Sequence, residues 1–372
     1  MGAFKFGLDR YVESYHKQGE YISKHDILLI IFELVNSKTE DIVLNDSIFL
    51  NIEDIPKSDL HVHFNGAVPT DIIKRLISEL DITVPSGLDL EVDLQILDSV
   101  NGLNEYFKPW RIFKLLPVGY NSLQIMMIGA FKKLSEDNVR YIEIRNSPFY
   151  IGRINNISLE EALLWLLESI NVASEMFNID ARLILSLTRH EYKNEDAHLL
   201  ISAIKKVNSN GVIVGVDLSG DEDYILNKRD LSKFFLNVKF DLGLGVTIHA
   251  GETGNEENVE WAINECKADR IGHGLASAKS NKILELIKEK NVCLEVCLTS
   301  NIMSGCCSSI TSHPISMFIE HDIPFVLCTD NPRVHNITLT DEYSVFLKHF
   351  GDRTLLNKII ANSTSYSFRK FN

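Results

Sequence analysis

The 372-residue chain has no excess of basic side chains: 37 Lys and Arg stand against 51 Asp and Glu, a formal net charge of −14. That balance argues against binding nucleic acid or an anionic membrane, because both need basic surface. No apolar run approaches the roughly 18 residues of a membrane-spanning helix. Residues 1–20 carry scattered charges and no apolar stretch of the kind a signal peptide needs. In MGAFKF, Phe6 stands where a myristoylation site wants Ser or Thr. C-x-x-C does not occur among the six cysteines, Cys266, Cys293, Cys297, Cys306, Cys307 and Cys328, so neither a zinc ribbon nor a thioredoxin-type pair is suggested. Reduced, mostly buried thiols and a cytoplasmic location are the expectation. Low-complexity tracts are missing too.

What is present is the composition of a soluble globular protein, 45% hydrophobic and 24% charged, long enough to bury a core without disulfides. From residue 58 short β-branched or apolar runs alternate with amphipathic stretches. The runs are DLHVHF (59–64), VRYIEIRNS (139–147), ARLILSLTR (181–189), GVIVGVDLSG (211–220), GVTIHAGE (245–252), DRIGHG (269–274), VCLEVCLTSN (292–301) and PFVLCTDN (324–331). Eight strands alternating with helices predict an α/β fold, a closed parallel (β/α)8 TIM-type barrel over residues 56–372. Residues 1–55, with the apolar DILLIIFELV, are expected to form a helical extension packed on it. The first connection, 65–138, is long and is expected to be a helical insertion.

Active sites of such barrels lie at the C-terminal ends of the strands. Those ends carry His61 and His63; Asp217, Gly220 and Glu222; His249 and Glu252; His273; the TSN tripeptide; and Asp330 with Asn331. A strand has period two, so His61 and His63 are expected on one face, with Leu60, Val62 and Phe64 on the other. Three histidines on strands 1 and 5 plus Asp330 on strand 8 make a feasible metal shell, since strands 8 and 1 are neighbours in a closed barrel. A nitrogen and oxygen set without thiolate suits zinc, with iron and manganese also open. Each residue alone has an ordinary explanation: His273 as a packed turn residue, Asp330 as a turn former, Glu252 as a helix cap, Gly220 as a backbone turn. Their occurrence together, in order, at strand ends is what points to chemistry.

The segments DLHVHFNGA, GVDLSGDE, TIHAGE, RIGHG, EVCLTSN, SHPI and CTDNP resemble, in order and spacing, the signatures of the adenosine deaminase family, within the amidohydrolase superfamily. The resemblance implies one zinc ion per chain and hydrolytic removal of a 6-amino group from a purine, with adenosine and 2′-deoxyadenosine as the leading substrates. It makes His61, His63, His249 and Asp330 look like the zinc ligands. Glu252 looks like the acid that protonates purine N1, and His273 like the residue that orients and helps deprotonate the attacking water. Gly220 N–H would meet purine N3, and His63 would also line the purine pocket. The H-x-E and P-C-x-x-C pattern of the other zinc deaminases is missing. So is the carboxylated lysine of two-metal relatives, where this chain has DLSG.

Two positions depart from the pattern. Asn331 stands where many members have an aspartate on purine N7, and its amide can donate there directly. Asn65 stands where members acting on free nucleosides commonly have an aspartate near the ribose 5′-hydroxyl. Relatives that look like N6-methyl-AMP deaminases have asparagine there, and a neutral residue tolerates a 5′-phosphate better than a carboxylate does. N6-methyl-AMP or adenine is therefore the alternative substrate. Leu103, Tyr106, Phe107 and Trp110 fall where the family places an apolar helix over the pocket mouth; ordinary helix packing explains them as well. A silent barrel that binds a purine or a partner would be expected to have lost a ligand, Glu252 or His273, and all are present. The expected partner is thus a small purine, with no nucleic acid and no membrane. Oligomeric state is not legible.

Overall fold

The structure, a computed structural model, describes residues 51–369. They belong to one compact unit. The helical extension expected over residues 1–55 lies outside the described residues except for a single 3-10 turn, Ile52–Asp54.

Eight strands form one parallel sheet in chain order: β1 Lys57–His63, β2 Val139–Asn146, β3 Asp180–Thr188, β4 Ile213–Ser219, β5 Gly245–Ala250, β6 Arg270–His273, β7 Cys293–Val296 and β8 Phe325–Leu327. Just past β8, Asp330 bridges to Val62, with His63 N–H donating to Asp330 O (2.8 Å) and Asp330 N–H to His61 O (2.9 Å). That bridge joins the last strand to the first, as the barrel reading requires. Strand alternation explains the sequence pattern. On β2, Ile142 and Ile144 join the main apolar core, whereas Tyr141, Glu143 and Arg145 share the other face.

The helices that cover the sheet carry apolar stripes. The helix Leu159–Phe177 buries Ala162, Leu163, Leu166, Leu167, Ile170 and Ala173, at the three- and four-residue spacing of one helical face. Ser158 caps it by accepting from Glu161 N–H, and Asn178 ends it in the left-handed region. Among the described residues no helix is long and apolar enough to cross a membrane.

The N-terminal end of the barrel is filled from the C-terminus of the chain. The Phe368 ring lies against Gly215 and Gly245, where a Cβ on Gly245 would come 2.3 Å from the ring. The Arg270 guanidinium sits 3.7 Å from the ring centroid, and Phe368 N–H donates to Glu143 (2.6 Å).

Three expectations need correction. Leu60 does not share a face with Val62 and Phe64. The β1–β2 register slips between Asp59 and Val62, so Leu60 and His61 together oppose Glu143. Both therefore turn inward, and Leu60 packs with Tyr141, Cys293, Cys297, Val326 and Cys328. The seventh strand stops at Val296, and TSN lies on a short helix, Leu298–Met303, whose first two amides donate to buried Glu342. The aromatic insertion is two short helices, Leu103–Tyr106 and Trp110–Phe113, separated around Pro109, which cannot continue a helix from its N-terminal side.

Candidate functional site

His61, His63, His249, His273 and Asp330 converge at the C-terminal end of the barrel. One candidate ligand atom each from His61, His249, His273 and Asp330 lies within 4.8 Å of the others. His63 Nε2 lies 3.2 Å from His249 Nε2, and both His61 and His63 place Nε2 3.4 Å from Asp330 Oδ1. Three of the four residues read as ligands from the sequence, His61, His249 and Asp330, share that group with His273, and His63 adjoins it through its contacts to His249 and Asp330.

The far sides of the rings decide what they can do. His61 Nδ1 is 2.7 Å from Glu295, and His249 Nδ1 is 2.9 Å from Asp217. A carboxylate there draws the imidazole proton onto Nδ1 and leaves the Nε2 lone pair facing the cluster. Among the described residues His61 Nε2, which is buried, has no hydrogen-bond partner, an orphaned acceptor aimed at the shared space. Asp330 Oδ2 accepts from Ser300 Oγ (2.6 Å), which leaves Oδ1 toward the imidazoles. Burial alone would raise the Asp330 carboxyl, but the imidazoles of His61, His63 and His273 beside it hold it well below the usual carboxylate range.

Below the rings lies a buried charged layer. Arg145 meets Glu295 (2.5 Å) and Asp217 (3.3 Å); Arg270 meets Glu295 (2.7 Å) and Glu143 (2.6 Å). With Asp330 this places two guanidiniums against four carboxylates, all buried. Among these six groups negative charge is in excess, which favours a cation among the imidazoles. The donor set, the orphaned Nε2 and the charge balance all fit one zinc ion.

Backbone geometry aims the remaining groups. Ile271 joins the outer core and Gly272 faces His61 and His249, so regular alternation would turn His273 outward. A positive φ of 64° at His273 brings it in instead. Asp330 is likewise left-handed, at φ 58°. Such strain costs on the order of 1–3 kcal/mol per residue and collects at functional sites. Gly251, at φ 73°, turns the chain after β5; a Cβ there would lie 2.7 Å from Val259. Glu222 accepts from Gly251 N–H and Thr253 N–H (3.0 Å), the amides flanking Glu252. The next helix, Glu256–Asn264, is capped by Asn255, so Glu252 is not its cap. Glu252 instead lies 3.6 Å from His273 Nε2. Burial, together with the charges of Asp330 and Glu222, pushes its carboxyl up to about 8.

Around the mouth the contacts are neutral. Asn65 Oδ1 accepts from Tyr150 Oη (2.9 Å) and Asn146 Nδ2 (3.4 Å). Gly220 has φ 92°, and its carbonyl accepts from Arg189 (3.2 Å). In the aromatic insertion it is Tyr106 that reaches the site, while Leu103, Phe107 and Trp110 pack around it. The Tyr106 hydroxyl lies within 3.4 Å of Asp330, Ser300 and His335 and accepts from Asn331 Nδ2 (3.1 Å). The Asn331 amide is thus engaged by tyrosine in this state, with its Oδ1 buried and unpartnered. Glu295, Arg145 and Ser300 have no assigned role in the sequence reading, and Tyr106 enters it only as part of the aromatic segment over the pocket mouth. The signal for the first two is a charge on the inward parity of an otherwise apolar strand.

The family model described as adenosine deaminase matches residues 56–372. An adenosine deaminase from Clostridium kluyveri is 31% identical over 84% of this chain and 90% of its own length. The fold resembles that of a zinc-bound amidohydrolase at 20% identity, over 88% of this chain and 91% of the other, with a TM-score of 0.77. It also resembles the N6-methyl-AMP deaminase from Arabidopsis thaliana at 24% identity, over 86% of this chain and 94% of the other, with a TM-score of 0.73.

Proposed function

This chain belongs to the adenosine deaminase family, and we propose on that premise that it removes the 6-amino group of adenosine and 2′-deoxyadenosine hydrolytically, giving inosine or 2′-deoxyinosine and ammonia. It is a hydrolase acting on carbon–nitrogen bonds. The observation that carries the reading is a neutralisable cluster of three imidazoles and Asp330 with a buried, protonated Glu252 beside it.

His61, His63, His249 and Asp330 would hold one zinc ion, which when bound supplies activated water near neutral pH. Attack at C6 pushes electrons onto purine N1. Glu252, protonated at pH 7 because of its burial, is the group to deliver a proton there. The C6–N bond then breaks with its electron pair on nitrogen; the amino group takes the proton of the added hydroxyl, so that ammonia departs and the 6-oxo purine remains, and the other proton of the water replaces the one Glu252 gave. His273 orients the incoming water. Gly220 N–H would meet N3, and the Asn331 amide would meet N7 once it exchanges Tyr106 for the purine. The insertion carrying Leu103, Tyr106, Phe107 and Trp110 keeps bulk water from C6.

Asn65 supports a second substrate, N6-methyl-AMP. Its neutral amide, held by Tyr150 and Asn146, adds no charge to repel a 5′-phosphate. The test is ammonia release by the zinc-loaded protein from adenosine, 2′-deoxyadenosine, adenine and AMP, with methylamine release followed from N6-methyl-AMP. Turnover of the two nucleosides is the expected result. Turnover of monophosphates alone moves the protein to the nucleotide reading, and silence on all five with zinc bound refutes both.

A further inference from the structure

We infer that His313 and Asn301 are positioning residues that fix the His273 ring with its proton on Nε2, so that His273 meets the cluster as a hydrogen-bond donor and not as a metal ligand. The part assigned to His273 in turnover rests on the proposed function; the tautomer does not.

The assignment starts from an atom that can only donate. Ile315 N–H, the first amide of the helix Ile315–Glu320, points at His313 Nδ1 (3.1 Å). Nδ1 must accept, so a neutral His313 carries its proton on Nε2. That Nε2 lies 3.2 Å from one side-chain atom of Asn301, which must therefore be the carbonyl oxygen. The other end of Asn301 is then the amide NH2, and it donates to His273 Nδ1 at 2.9 Å. A neutral His273 with an acceptor at Nδ1 has its hydrogen on Nε2, the nitrogen 3.6 Å from Glu252. Burial favours the neutral form of His313, holding its imidazole down to about 4.

The relay is rigid. Asn301, His313 and His273 are all buried. Asn301 sits on the helix whose start is pinned by Glu342, and its carbonyl accepts from Cys307 N–H (2.7 Å). The contrast with the neighbouring rings is chemical. His61 and His249 turn Nδ1 to carboxylates and offer lone pairs inward; His273 turns Nδ1 to an amide donor and offers N–H. With His273 a donor, the imidazole left to complete a shell with His61, His249 and Asp330 is His63, whose Nε2 lies 3.2 Å from His249 Nε2 and 3.4 Å from Asp330 Oδ1. The two motifs TSN and SHPI thereby have a common purpose.

The test is the ring-nitrogen signature of histidines in the 15N-labelled, zinc-loaded full chain, with His273 assigned by its disappearance in His273→Gln. The expected wild-type signature is a pyridine-like Nδ1 and a protonated Nε2. Asn301→Asp replaces the donor with an acceptor and should reverse it, with kcat falling about 10–100-fold and zinc content and KM little changed. His313→Leu should lower kcat without reversing the ring. His313→Gln, whose amide can bond both neighbours in the same sense, should restore it. A wild-type His273 with its proton on Nδ1, or an Asn301→Asp ring unchanged from wild type, overturns the inference. Failure of the holoenzyme to deaminate any purine would sink the proposed function and leave the ring signature to stand or fall separately.

Discussion

Below the imidazoles, Arg145, Arg270, Glu143, Glu295 and Asp217 face one another at 2.5–3.3 Å in a fully buried layer. Above them, Asn65, Asn146, Tyr150, Asn331 and Tyr106 meet through neutral hydrogen bonds of 2.9–3.4 Å. The two regions differ in how much change they tolerate. Removing one partner of a buried ion pair costs about 3–5 kcal/mol, because the other charge is stranded. A neutral hydrogen bond is worth about 1 kcal/mol, even among largely buried groups such as these. The lower layer therefore fixes the reaction, and the mouth is where one purine can be exchanged for another.

The largest effect should come from the imidazoles. His249→Ala should leave the chain with little zinc after dialysis and no measurable ammonia release; unchanged zinc by elemental analysis would break the ligand assignment. Glu252→Gln should keep its zinc and lose about 10²–10⁴-fold in kcat. A near-normal rate would remove Glu252 as the proton donor. Glu295→Gln should weaken zinc binding about 10–100-fold and cost about 3 kcal/mol of stability, read by competition with a chelator and by urea unfolding. If both stay at wild-type values, the charged layer is not what supports the site.

The acid limb of stability should show His313. Its imidazole is held down to about 4 by burial, so the fold favours the neutral ring. That contribution is fully present above the unfolded value near 6.5 and is lost as pH falls through about 4. It amounts to about 3 kcal/mol, and His313→Gln should remove that part of the pH dependence in urea titrations at pH 7 and pH 4.5. The smallest structural effect should come from the mouth. Asn65→Asp should leave zinc content and melting temperature nearly unchanged and raise the adenosine-to-AMP ratio of kcat/KM about tenfold. An unchanged ratio would detach Asn65 from substrate choice and blunt the contrast between the two regions.

The same contrast governs what could be read in advance. The eight strand runs were legible because their outer faces carry apolar residues at fixed parity, as Ile142 and Ile144 do. The residues of the candidate cluster were legible because they lie at or just past the C-terminal ends of strands, as His249, Asp330 and Glu252 do. Leu60 was misplaced because a register slip leaves no trace in composition. Asn301 was put on a strand because apolar VCLEVCL runs on through the start of a helix. The roles of Tyr106 and His313 were hidden because loops and short helices carry no period that says where a side chain points. Glu295 and Arg145 could have been found as charges on the inward parity of apolar strands.

The most direct measurement is a crystal structure of the zinc-loaded protein with anomalous data collected at the zinc edge. The account predicts a single peak bonded by His61 Nε2, His63 Nε2, His249 Nε2 and Asp330 Oδ1, with His273 beside it and unbonded. A peak ligated by His273 with His63 outside the shell, or no peak among these residues, would contradict it.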